Sequence, residues 1–444
     1  MKNASRVFFV FIIILCSPGC RWPRRKAVSD VLPTAMVVTD IPVSFRTQKP
    51  RVLIFSSVGG GGHMSAAQAI TSYLGDRYEV NIVNIIAEAA GNFDVLRFIS
   101  GNTVAGEDLY NFFLRHGMSR TVGMYCSLGH VLMSLCARYL DARVGEFLDH
   151  AQPDIIISVI PFFNGVIHRT AHARGLPFAV VTCDLNTVNY FQGMDSSQSE
   201  LFRYGIAFKD PAIVKVVDPA RISPESIRVV GFPVRESFFV RHNKKELRAQ
   251  FNFPEETPTV MIMMGAVGGR SVLGYLRKLV KMKTKMHVVV CVGRNEALKN
   301  SIENLVLPAH MSISVFGYTD KIAELMQASD LLITKPGPTS ICEALYARVP
   351  LLLDGTTQPI FWEIMNVDFV VQNGFGEVVT TLRHVPIQVK KMLENFDQRA
   401  AIIKAMEDFV APDPGTNIRL LVEDLLQQAA QKPYEVVTGG IATV

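Results

Sequence analysis

Most of the chain alternates short apolar runs with longer stretches whose apolar positions fall at helical spacing. The runs VLIF (52–55), VNIVNII (80–86), DIIISVI (154–160) and FAVVTC (178–183) come first. A continuous apolar run bounded by helices predicts a parallel strand buried on both faces. Between about 95 and 148 there is no strand pattern, and Phe, Leu and Met dominate; this predicts two or more helices beside the sheet. The segment VVGFPVRESF (229–238) closes a strand and carries a Gly and a Pro, which marks a crossing between domains. The alternation then restarts with TVMIMMG (259–265), HVVVCVG (287–293), ISVFG (313–317), DLLIT (330–334), VPLLLD (349–354) and GEVVT (376–380).

The predicted architecture is α/β, with two Rossmann-like domains facing a central cleft. The boundaries are an apolar N-terminal signal or anchor segment (1–20), a polar linker (21–50), a first domain (51–232), a second (233–431) and a tail (432–444). Ligands of such sheets sit at the carboxyl ends of the strands. A length of 444 residues, 49% apolar, allows two cores of this kind. The net charge of +5 favours anionic ligands or lipid surfaces, and no basic run with interleaved aromatics points to nucleic acid. The seven cysteines are scattered without a C-x-x-C pair, as expected of buried free thiols rather than a metal site or disulfide framework. The start MKNASRVFFVFIIILCSPGC is a short basic and apolar segment, followed by the basic RWPRRK. It predicts membrane association with the body on the cytoplasmic side; an exported lipoprotein ending its signal at Cys20 is the alternative.

Two stretches carry the candidate chemistry. VLIFSSVGGGGHMSAAQAI (52–70) leads a strand through glycines to a histidine at a helix start. Gly60, Gly61 and Gly62 allow a tight turn and close backbone approach, and the helix N-terminus favours an anion. The run is not the dinucleotide pattern G-x-G-x-x-G, which disfavours a dehydrogenase. His63 is a candidate proton acceptor. ITKPGPTSICEALYARVPLLL (333–353) ends a strand and turns at Gly337. Thr339 and Ser340 then open a helix where hydroxyls and N–H groups suit phosphate. Glu343 shares their face. It is either a ribose-binding carboxylate or the far end of a capping box begun by Ser340.

These stretches, with VVGFPVRESF, VCVGRNEALKNSI, VFGYTDKIAELMQASDLLITKPGPTSICEAL and NVDFVVQNGFGEVV, resemble the monogalactosyldiacylglycerol synthase family. That family is of the family 28 type and includes bacterial diacylglycerol glucosyltransferases among its relatives. The resemblance runs from about 52 to 426. It implies a GT-B fold, a UDP-sugar co-substrate with no separate cofactor, and a lipid acceptor at a membrane surface. It carries His63 to the acceptor side of the transfer site. Gly265, Gly268 and Gly269 go to a second glycine loop near the diphosphate, and Arg294 lies near the nucleotide. Phe316, Gly317 and Tyr318 go to a uracil-contacting loop. Thr339 and Ser340 go to the diphosphate, Glu343 to the ribose and Glu363 to the donor sugar. Two positions depart from the pattern: Trp362 precedes Glu363 where the family has Gln, and Asn189-Tyr190 stand near its His-Pro.

The implied reaction moves a hexose from a UDP-sugar to a lipid such as diacylglycerol, with inversion and without a metal, using His63 or Asp184 as base. A peptidoglycan-precursor N-acetylglucosaminyltransferase-like enzyme and a non-catalytic nucleotide-sugar-binding protein are the alternatives.

Overall fold

The computed structural model describes residues 49–431 apart from 60, 95, 98–99, 101–102, 117, 195–198, 266–270, 357–358 and 410. The expectations for the N-terminal segment and the tail, and for Gly60, Gly268 and Gly269, lie outside the described residues.

Twelve described strands form two parallel sheets. The first contains β1 (Arg51–Ser56), β2 (Glu79–Asn84), β3 (Ile155–Ser158), β4 (Phe178–Val181), β5 (Phe202–Ile206) and β6 (Ile227–Val229), in the order β2-β1-β3-β4-β5-β6. The second contains β7 (Thr259–Met263), β8 (Met286–Gly293), β9 (Met311–Gly317), β10 (Leu331–Thr334), β11 (Leu351–Asp354) and β12 (Gly376–Val379), in the order β12-β11-β10-β7-β8-β9. Strands β3, β4, β5, β7, β8, β10 and β11 are buried along their whole length. The four edge strands are not, as expected where one flank lacks a neighbour. Each sheet has one point where the strand order reverses: between β1 and β3, and between β7 and β10. Loops leave such a point in opposite directions and open a crevice.

The helical stretch resolves into α1 (Gly62–Leu74) after β1, then α2 (Gly106–Arg115), α3 (Ser119–Leu135) and α4 (Ala137–Ala151). Among the described residues no helix is long and apolar enough to cross a membrane. Strand β5 has no clear signal in the sequence, because FRYGI puts an arginine inside a central strand. Arg203 is tolerated there because Asp424 lies 2.9 Å away and its guanidinium also donates to the carbonyls of Glu200 and Phe202.

Asp424 belongs to the last described helix, Pro414–Gln431. This helix packs on α1 and on β3–β5 of the first sheet, burying Ile418, Leu421, Val422 and Leu425. The chain therefore passes between the halves twice, once near 231 and once near 412. Gly231 sits in the left-handed region at φ 88°, and a Cβ there would lie 2.8 Å from the Pro412 carbonyl oxygen. The glycine of VVGFP is thus needed where the two crossings meet. Phe208 from the first half stacks on Phe369 of the second at 5.6 Å, with Phe409 edge-on at 5.3 Å.

Candidate active site

The two reversal points face each other. A Cβ placed on Gly62, at the start of α1, would lie 2.9 Å from the Thr339 hydroxyl, at the start of the helix Pro338–Ala347. Gly61 caps α1 in the left-handed region at φ 88°. Two helix N-termini therefore converge on one cleft, each bringing free N–H groups and the positive end of its dipole.

His63 is the second residue of α1, and its Nδ1 lies 3.0 Å from the carbonyl oxygen of Val159, just beyond β3. A carbonyl can only accept, so Nδ1 carries the proton and the neutral ring keeps its lone pair on Nε2. Cys183 Sγ also lies 3.0 Å from Nδ1 and donates to Val159 at 3.0 Å. Tyr190 is fully buried beneath them and donates to Asp184 Oδ2 at 3.1 Å. Asp184 is pushed above the usual carboxylate range by burial, and the nearby His63 and the Tyr190 bond hold it back. Burial and the Asp184 charge push the Cys183 thiol up. Asn189 is buried and accepts from Gln192 at 3.0 Å, so it supports the loop.

Helix α2 roofs this half. Glu107 is 6% exposed, and its carboxyl group accepts from the Ser57 hydroxyl at 2.6 Å, the Val58 N–H at 3.0 Å and Asn84 at 2.8 Å. That fixes the chain entering the glycine run. One turn on, the Tyr110 ring lies 3.5 Å from where a Cβ on Gly59 would be. Burial raises the Tyr110 phenol, and Cys126, Glu363 and Asp184 add to it, so the ring sits among groups from both halves.

On the opposite wall, Gly265 lies just beyond β7 at φ 79°, and a Cβ there would lie 3.1 Å from Lys335 Cε. The Lys335 stem also lies 3.4 Å from a Cβ placed on Gly337. The lysine therefore spans the two loops of this reversal point. Gly337 is the N-cap and Pro338 the first helical residue. Ser340 is then inside the helix and Glu343 a turn beyond, so the capping-box alternative does not hold. Glu343 is buried at 6% exposure, its carboxyl is pushed up to about 7 by burial, and Arg235 at 3.9 Å pulls it back. Arg235 comes from VVGFPVRESF, the interdomain crossing.

Arg294 lies over the exposed Tyr318 ring at 4.7 Å, a cation–π pair. Phe316 and Gly317 are the end of β9 rather than a loop. The Phe316 ring packs on Phe251 and Phe253, at 6.0 and 6.3 Å, so its side chain serves the hydrophobic packing and is not brought to the cleft. Glu363 lies in a short turn, Phe361–Glu363, opposite α3: Phe361 is 3.6 Å from a Cβ placed on Gly123. Burial raises Glu363, Lys335 lowers it and Asp184 raises it further. His63, Asp184, Gly62, Thr339, Lys335 and Glu363 thus share one cleft. Sequence reasoning missed Lys335, Tyr110 and Glu107, and met Tyr190 only as a departure from the family pattern. Of these only Lys335 carried a local signal, as a lone base between a strand end and a Pro-Gly turn.

Residues 259–353 match the glycosyltransferase family 28 C-terminal domain. The chain is 29% identical over 378 residues to the chloroplastic monogalactosyldiacylglycerol synthase of Spinacia oleracea, covering 79% of this chain and 68% of that one. It is 25% identical over 400 residues to the processive diacylglycerol beta-glucosyltransferase of Bacillus subtilis (strain 168), covering 85% of this chain and 95% of that one. Among solved structures, Acinetobacter baumannii MurG superposes with a TM-score of 0.53 at 14% identity, covering 85% of this chain and 99% of its own. The chain therefore has the GT-B fold, carries a glycosyltransferase family 28 C-terminal domain over 259–353, and is similar along most of its length to monogalactosyldiacylglycerol synthases and a diacylglycerol glucosyltransferase.

Proposed function

We propose that the protein transfers a hexose from a UDP-sugar to a hydroxyl of a membrane lipid such as diacylglycerol, with inversion at the anomeric carbon and without a metal. The observation that carries this is the opposition of His63, its Nδ1 committed to Val159, and the Thr339 helix start across the Gly62 contact. The relatives' names supply the substrate class.

In this reaction the lipid hydroxyl gives its proton to His63 Nε2. Its oxygen attacks the anomeric carbon from the face opposite the diphosphate, and the bond to UDP breaks. Negative charge grows on the leaving diphosphate. The N–H groups of the helix Pro338–Ala347, the Thr339 and Ser340 hydroxyls and the Lys335 ammonium meet that charge; preorganised donors of this kind do the work of a metal. Glu343 accepts from the ribose hydroxyls and Glu363 from the hexose. Asp184 faces the imidazolium that forms on His63.

The lipid arrives across α2 and α3. These helices expose Phe112 (49%), Met124 (75%), Val131 (53%) and Leu135 (62%) beside the cleft residue Tyr110. Apolar side chains on helices next to a site for a lipid suit a bilayer interface, and a UDP-sugar donor suits the cytoplasmic face of that bilayer. The test offers purified protein UDP-glucose, UDP-galactose and UDP-N-acetylglucosamine with and without diacylglycerol vesicles. UDP release that needs one sugar and the lipid supports the proposal. UDP binding without release under any pair contradicts it and favours a binding protein on the same fold.

A further inference from the structure

We propose that Tyr190 is a positioning residue that ties the charge on Asp184 to the tautomer of His63. This rests on the function proposed above, and goes beyond it in naming what keeps His63 ready to accept a proton.

The Val159 carbonyl oxygen has two lone pairs. Three donors lie within reach of it: His63 Nδ1 at 3.0 Å, Cys183 Sγ at 3.0 Å and the Tyr190 hydroxyl at 3.3 Å. The carbonyl cannot serve all three well. The crowding is relieved when Tyr190 turns its proton to Asp184 Oδ2, 3.1 Å away, while its oxygen accepts the Cys183 N–H at 3.3 Å. An ionised Asp184 can only accept, so it holds the phenol proton in that arrangement. A protonated Asp184 donates to the phenol oxygen instead, and the phenol proton turns back to Val159. It then competes with His63 Nδ1–H for the same lone pairs. The Nε2–H tautomer gains, and that tautomer cannot take the acceptor's proton.

Asp184 is the group whose charge sets this arrangement. Burial raises its pKa, and only His63 and Tyr190 lower it. The other titratable groups facing it are Cys183, Tyr204 of β5 and Tyr110 of α2 from the first half, with Glu363 and Cys342 from the second. None of these five brings a positive charge.

The experiment is the pH dependence of kcat/KM for UDP release, with full-length protein, the working UDP-sugar and diacylglycerol vesicles. Wild type is compared with Tyr190→Phe, Asp184→Asn and the double variant. Phenylalanine keeps the ring and its packing, and thermal melting checks that each variant folds. Phenylalanine has no proton to return to Val159, so the acid limb of Tyr190→Phe is expected about one pH unit below that of wild type, with about a tenfold higher rate where wild type is on its limb. In the Asp184→Asn background the side-chain amide donates to the phenol and keeps its proton on Val159, so the same substitution is expected to restore rate rather than cost it. An unmoved or raised acid limb, or a loss in both backgrounds, overturns the inference and leaves Tyr190 a packing residue. A wild-type protein without turnover on any donor overturns the proposed function itself, and this inference with it.

Discussion

At the scale of single residues, the account rests on groups whose ionisation or tautomer is set by burial. His63→Ala removes the proton acceptor, and kcat is expected to fall by about 10²–10⁴-fold with donor KM little changed. Glu343 gives a pH signature. Burial places its carboxyl near 7, and only the carboxylate accepts from two ribose hydroxyls. UDP affinity is therefore expected to rise as pH climbs through about 7, and Glu343→Gln to flatten that rise; isothermal titration across pH checks it. The same shift has a stability sign. A carboxyl raised by folding contributes stability at low pH that is lost as pH rises through its folded value. Melting curves should show Glu343→Gln gaining on wild type as pH rises from 4.5 to about 7, with no further gain above it. His63, Thr339, Ser340 and Glu343 were legible because each sits inside one contiguous glycine- or proline-turn motif. Tyr190 and Tyr110 were not, because their roles come from loops and helices that only the fold brings beside β1 and β3.

At the scale of elements, the glycine loop depends on a helix about fifty residues away in sequence. Glu107 holds Ser57, Val58 and Asn84 together, so Glu107→Ala leaves partly buried donors without a partner. A cost of about 1–3 kcal/mol in unfolding free energy is expected, read by urea titration, with a larger proportional loss in kcat than a surface alanine gives. Helix α3 offers the matching test of membrane contact. Met124→Glu with Leu135→Glu, both at exposed positions, should cut flotation with anionic vesicles while UDP binding stays intact. Retained flotation would place the membrane contact elsewhere. The strands were largely legible because buried parallel strands have continuous apolar runs. Strand β5 was hidden by Arg203, whose burial depends on Asp424 in a helix more than two hundred residues later. The boundaries within 95–148 were equally obscure, since Phe and Leu positions there serve both packing and an exposed face.

At the scale of the molecule, two halves with opposed reversal points are held by crossings at Gly231 and Pro412 and by the closing helix on the first sheet. Ending the chain after Asp413 uncovers Ile418, Leu421, Val422 and Leu425 contacts, which at about 1.5–3 kcal/mol each exceeds what a domain of ordinary stability can lose. Such a protein is expected to aggregate or melt well below full length. The measurement closest to the central claim is UDP release by wild type and His63→Ala, side by side, with each UDP-sugar and with or without diacylglycerol vesicles. Release that requires one sugar and the lipid, and falls at least about a hundredfold in His63→Ala, is the predicted result. Release that ignores the lipid, or that His63→Ala leaves intact, would contradict it.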